Sequence, residues 1–206
     1  MRRPSRRLPG LGGASRFLRE FLARPRVVGA IAPSSRALAR RMVEGLDLET
    51  ARAVIEFGPG TGVFTREILR RVGPGTRVVA IERSSSMAAA LRSEFPGVLL
   101  HEDTAANAEA ICRREGIEPG TVDSIVSGLP FAGFPGPLQK EILEAAIGVL
   151  RPGGRFVTFA YYGAHLKPAG RRFGQLLESL FASVERGAGA MMNIPPAFVY
   201  RCQKAG

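Results

Sequence analysis

The stretch IEFGPGTGVF, residues 55–64, ends an apolar run with an acid, Glu56, and then sets Gly58, Gly60 and Gly62 at alternate positions. Glycines let a backbone approach a ligand closely, and the first N–H groups of a following helix attract negative charge. Three ligand chemistries compete for such a loop. A phosphate loop needs lysine and then serine or threonine after its last glycine, but Val63 and Phe64 stand there. A dinucleotide fingerprint GxGxxG, counted from Gly58, needs glycine where Val63 stands. Glu56 would also repel a pyrophosphate, whereas it suits an ammonium or sulfonium group. The loop therefore fits a zwitterion, its carboxylate toward the helix N–H groups and its cation toward Glu56.

The methionine end of S-adenosylmethionine is such a zwitterion, and further residues fall where the rest of that molecule needs them. Glu82, followed by Arg83, ends the next apolar run, about twenty residues on, where a ribose-hydroxyl acceptor stands. Asp103, followed by Thr104, comes after the third run, in place to accept from the adenine amino group. Ser127, Gly128, Leu129 and Pro130 end the fourth. Any one of these residues alone could be a cap or a turn. Four sites in order on successive strand ends match the ligand-binding edge of an open α/β sheet. The cofactor so implied is S-adenosylmethionine, with S-adenosylhomocysteine as product; no metal is expected.

The elements that must carry these residues alternate. Apolar β-prone runs lie at 53–57, 77–82, 97–102, 122–127 and 155–161, with helix-spaced segments between them at 64–72, 85–95, 106–116 and 137–150. Continuous apolar strands separated by helices predict a parallel sheet buried on both faces. LRPGG, 150–154, reads as a turn closing the last of these helices. After a further helix near 171–180, LFASVER and AFVYRC read as two final strands joined by a loop holding NIPP, with no helix between them. The expected fold is α/β and Rossmann-like: a mostly parallel seven-stranded sheet finished by an antiparallel hairpin.

Two regions divide the chain at this level, 1–48 and 49–206. Eleven arginines and a single acid, Glu20, lie in residues 1–41, so that segment holds almost all of the net charge of +11. Ala14, Phe17, Leu18, Phe21 and Leu22 fall on one helical face, with Arg16 and Arg19 off it. Ser34 or Ser35 can cap a second helix, RALARRMVEGL. A secretory reading of the front fails because Arg16, Arg19 and Glu20 interrupt any hydrophobic region. The two cysteines, Cys112 and Cys202, form no CxxC pair, which fits a reducing compartment.

On these residues the chain resembles the class I S-adenosylmethionine-dependent methyltransferases, and more closely the bacterial phospholipid N-methyltransferases of the PmtA type. The likeness runs from about Phe17 to Cys202 and is carried by RVVGAIAPSSRALARRM, VIEFGPGTG, AIERSSSM, SGLP, AYYG and NIPPAFVYRC. It implies successive methylation of phosphatidylethanolamine toward phosphatidylcholine. By position it places Glu56 and the glycines on the methionine part, Glu82 on the ribose, Asp103 on adenine and Ser127–Pro130 along the transfer site. Tyr161 and Tyr162, with Ser127, are then the candidates to help an amine lose its proton. Tyr162, His165 and Asn193 are candidates to meet the headgroup. Tyr161 reads equally as a core aromatic, and His165 as a surface one. Where such enzymes have Gly-Asp-Ala after the third strand, this chain has EDT, 102–104.

A lipid substrate gives the front helix a task. Phe17, Leu18, Phe21 and Leu22 would enter the headgroup boundary while Arg16 and Arg19 face anionic lipid; packing of that face on the domain is the alternative. The expectation is a monomer, cytoplasmic and peripheral on the membrane face, with no nucleic-acid partner. The alternative substrate is RNA, since rRNA adenine dimethylases carry NLPY where this chain has GLPF, 128–131.

Overall fold

The pentapeptide Ala53–Phe57 is buried at every position, so both of its faces must be covered and it can only be an interior strand. In the computed structural model, which describes residues 35–187, 189–190, 193 and 195–206, this strand, β1, pairs in parallel with β2 (Arg77–Glu82) and β4 (Val122–Ser127). β3 (Leu99–Glu102) and β5 (Leu150–Tyr161) extend the parallel set, and β7 (Ala197–Gln203) runs antiparallel between β5 and the edge strand β6 (Ser183–Arg186). The order is β3-β2-β1-β4-β5-β7-β6. This is the expected seven-stranded sheet with its terminal hairpin.

β5 begins earlier than its apolar run. Val122 pairs with Leu150 but Ser124 pairs with Arg155, so residues 151–154 bulge between the two registers instead of ending the helix as a free turn. Gly153, at φ 68°, supplies the left-handed step this needs.

Among the described residues six helices cover the faces: α1 (Arg36–Val43), α2 (Val63–Leu69), α3 (Ser85–Glu94), α4 (Ala108–Arg114), α5 (Gly136–Val149) and α6 (Pro168–Leu180). Ser35 caps α1, its Oγ accepting from Leu38 N at 3.1 Å. Leu38, Ala39, Met42 and Val43 of α1 join Val54, Phe64, Ile68, Val126, Val157 and Val199 in one core cluster. The described end of the basic segment is thus built into the domain. Phenylalanines dominate the other side of the sheet, where Phe131 stacks on Phe173 at 4.8 Å and Phe156 on Phe181 at 5.6 Å. Cys112 and Cys202 are buried and unpaired. The expected front helix, with Arg16, Phe17, Leu18, Arg19, Phe21 and Leu22, lies outside the described residues.

Candidate active site

Four strand ends meet along one edge of the sheet. Phe57, the last residue of β1, is in register with Ile81 of β2 and Ser127 of β4, and Ser127 with Thr158 of β5. The glycine loop leaves β1 here, and its three glycines do different things. All have positive φ, between 56° and 74°. A Cβ on Gly58 would stand 2.6 Å from the Leu129 side chain, and one on Gly62 would stand 2.5 Å from the Phe95 ring. These two glycines let the loop pack against the protein itself. Gly60 faces open space, with nothing within 4 Å of a Cβ, so it is the point at which a ligand can come onto the backbone. The loop after β4 is pinned in the same way: Gly128 N donates to Phe57 O at 2.8 Å, and a Cβ there would lie 2.6 Å from Gly58 O.

Glu56 is fully buried. Thr65 Oγ1, on the inward face of α2, donates to Glu56 Oε2 at 2.6 Å, while Oε1 has no partner. Burial pushes the carboxyl up to about 8; the Thr65 bonds offset part of this, and the nearby Glu82 adds to it. A buried carboxyl with one unused oxygen, under a loop open at Gly60, is fitted to receive a cation.

Glu82 turns its carboxylate onto the same loop. Its Oε2 accepts from Gly60 N at 3.0 Å and its Oε1 from Ser84 N at 2.8 Å. Arg83 beside it is exposed. Burial raises the Asp103 carboxyl, but the bonds from Thr104 N and Asn107 Nδ2, both at 2.8 Å to Oδ1, and from Arg114 outweigh it and hold the group below its usual range. Thr104 also caps the turn that follows, its hydroxyl accepting from Ala106 N at 3.4 Å. Ser127 is buried, its Oγ accepting weakly from Leu129 N at 3.4 Å.

On the acceptor side the structure separates residues that the sequence groups together. Tyr161 is the last residue of β5 and Tyr162 begins the turn after it. Tyr161 packs edge-on to Phe159 at 5.5 Å, against the cluster that includes α1. Tyr162 lies 5.3 Å from Phe198 and 6.1 Å from His165, on the α6 side. The two tyrosines therefore pack on different neighbours. Burial lifts the Tyr161 phenol to about 12, so it stays protonated near neutral pH. His165 packs edge-on against Phe198 at 5.0 Å, its Nδ1 buried without a partner.

Asn193, expected at the headgroup, makes two hydrogen bonds within the protein. It is 3% exposed, its Oδ1 accepts from Ser35 N at 2.9 Å, and its Nδ2 donates to Pro195 O at 2.7 Å. It ties the last loop to the start of α1, joining the PSS and NIPP segments, and both functions of its amide are engaged. Asn193→Ala would leave Ser35 N without that acceptor and should lower stability by about 1–3 kcal/mol, read as a fall in denaturation midpoint.

Thr65 and Ser84 are functional neighbours the sequence reading missed. Thr65 had a signal: it is a polar residue on the helix face that also carries Phe64 and Ile68, and a polar group on a buried face needs a partner.

Residues 54–154 match a family model described as a methyltransferase domain. The ornithine lipid N-methyltransferase of Singulisphaera acidiphila is 33% identical over 190 residues, which span 91% of this chain and 94% of that protein. The chain belongs to the class I S-adenosylmethionine-dependent methyltransferases. Ribosomal RNA small subunit methyltransferase A of Thermotoga petrophila is 30% identical over 120 residues, 57% of this chain and 42% of that protein. An O-methyltransferase from Bacillus cereus, solved with S-adenosylhomocysteine, superposes with a TM-score of 0.62 at 18% identity, over 95% of this chain and 92% of that one. At that identity the likeness speaks for the fold alone. S-adenosylmethionine is the cofactor of this methyltransferase. The residues present fit it: Glu56 Oε1 is buried with no partner, which a cation would supply, Gly60 is open, and Glu82 bonds the loop at Gly60 N.

Proposed function

We propose that this methyltransferase transfers methyl groups to the amine of a membrane lipid headgroup. The observation that carries this reading is the end-to-end likeness to a lipid N-methyltransferase, against the partial match to the rRNA enzyme. The sequence motifs favour phosphatidylethanolamine, methylated through its intermediates toward phosphatidylcholine. The full-length relative favours an ornithine lipid. Both offer a primary amine on a lipid.

When bound, S-adenosylmethionine supplies a methyl group already activated on a sulfonium. The protein's share is then positioning and exclusion of water. Glu56 and the Gly60 backbone would hold the methionine end, Glu82 the ribose and Asp103 the adenine. The Ser127–Pro130 loop, locked against Gly58, would wall the transfer site. A primary ammonium has a pKa of about 10, so it must lose a proton before it attacks. The Ser127 hydroxyl at the end of β4 and Tyr162, just past β5, would hold the amine by hydrogen bonds while its proton leaves to solvent water. The segment before Ser35 would bring the enzyme to anionic lipid, with Arg16 and Arg19 facing the headgroups. Among the described residues no helix is long and apolar enough to cross a membrane, which suits a peripheral enzyme on the cytoplasmic face.

Labelled S-adenosylmethionine, offered with vesicles containing phosphatidylethanolamine or ornithine lipid and separately with total RNA, tests the reading. Label is expected in the lipid phase, and chromatography then identifies the lipid and counts the methyl groups. Label in RNA alone would overturn the lipid substrate while leaving fold and cofactor intact.

A further inference from the structure

The described residues expose three large hydrophobic side chains, and two of them stand together after β5: Tyr162, 47% exposed, and Leu166, 59% exposed. They sit on the short connection from β5 to α6. That connection is held firmly, because Gly170 in the first turn of α6 lies so close to Ala164 O and His165 Cα that no side chain would fit. Leu166 is therefore displayed by a braced turn.

The charge around this pair has one sign. Lys167, Arg171 and Arg172 are all exposed, and the sequence has no acidic residue between Glu144 and Glu178. Lys167 is the N-cap of α6, whose first turn contains no acid. Cations at a helix N-terminus oppose the helix dipole. Lys167 and Arg171 also lie one turn apart, with Arg171 N donating to Lys167 O at 2.9 Å, an arrangement that repels. Among the described residues no carboxylate forms an ion pair with any of the three. Two local rules broken side by side, without a compensating carboxylate, point to a functional surface.

We propose that this rim, Tyr162 and Leu166 flanked by Lys167, Arg171 and Arg172, is a membrane-docking surface of the folded domain, taking the anionic face of a bilayer. Apolar side chains ringed by cations suit the boundary between headgroups and acyl chains. The rim lies at the C-terminal end of β5, the same edge at which β1 and β4 deliver the glycine loop and Ser127. Docking here would bring headgroups to the methyl-transfer edge without any contribution from residues 1–34. The inference rests on the lipid reading of the site, but its test does not depend on turnover.

The test is cosedimentation of the full chain with vesicles of phosphatidylcholine alone, or with phosphatidylglycerol added, in the absence of cofactor and of any aminolipid. Near-surface basic residues each contribute enough that neutralising three of them should weaken partition by about 30- to 100-fold. The triple variant Lys167→Gln, Arg171→Gln, Arg172→Gln should show this loss on the anionic vesicles. Leu166→Trp should bind them several-fold more tightly, a gain that misfolding, followed by circular dichroism, would not mimic. A loss under fivefold in the triple variant, or no gain for Leu166→Trp, would overturn the proposal. So would a triple variant that keeps its vesicle binding but loses binding to total RNA, which would make this rim a nucleic-acid face. If label reaches no lipid in the turnover experiment yet the rim variants behave as expected, the substrate reading fails and the docking surface stands.

Discussion

Glu56→Gln is expected to weaken binding of S-adenosylmethionine or its product by about 10- to 100-fold and to remove the pH dependence of that binding. The carboxyl sits near 8 because it is buried with one oxygen unpartnered. At pH 7 the free protein therefore holds it mostly protonated. A ligand ammonium favours the ionised form, so binding must expel a proton, and affinity should rise as pH climbs toward about 8. Calorimetry in two buffers of different ionisation heat reads the released proton directly. Loss of a charge-assisted hydrogen bond, about 1.5–3 kcal/mol, sets the size of the effect. Pairing with the carboxylate is thereby lost, while glutamine still offers an oxygen to Thr65.

The same group controls stability in the opposite sense. Its folded value exceeds the ordinary 4.5, so the folded state holds a proton that the unfolded state has released. Stability is full below about pH 4.5 and declines as pH rises to about 8, by on the order of 3–5 kcal/mol. Glu56→Gln should flatten this decline and be the more stable protein at pH 8 and above. A wild-type denaturation midpoint that does not fall over this range, or binding without proton release, would show that Glu56 is ionised in the free protein.

The second large effect separates the glycines. Gly128→Ala puts a methyl group 2.6 Å from a backbone oxygen, Gly58 O, and 3.3 Å from the Phe64 ring. Backbone at the junction of β1 and β4 cannot yield cheaply, so a loss of about 2–3 kcal/mol is expected, or roughly 4–12 °C in melting temperature. Gly60→Ala meets nothing within 4 Å and carries only the strain of its positive φ, about 1–2 kcal/mol. It should lower the melting temperature less than Gly128→Ala does, yet weaken cofactor binding by tenfold or more, because its methyl group points to the open side of the loop. The measurement is a melt paired with a binding isotherm for each variant. If Gly60→Ala binds cofactor normally, the ligand does not approach there.

The sequence by itself determined the sheet, the order of its strand-end residues and the class of cofactor. Period, length and apolar continuity are local properties, and a run such as AVIEF is buried however its neighbours arrange themselves. The charge of Glu56 is local too, set by an acid beside a glycine loop. Division of labour among the glycines was settled by tertiary structure, since Phe95 and Leu129 reach the loop from other elements. The partners of Asn193 and Glu56 were settled in the same way, by Ser35 from the far end of the chain and Thr65 from the facing helix. Tyr161 and Tyr162 show the reason most plainly. Adjacent in sequence, they read as one cluster, but β5 ends at Tyr161, which packs on Phe159, and the turn that follows carries Tyr162 to Phe198 and His165. Which face a side chain meets, and what waits there, depends on contacts between residues far apart in the chain.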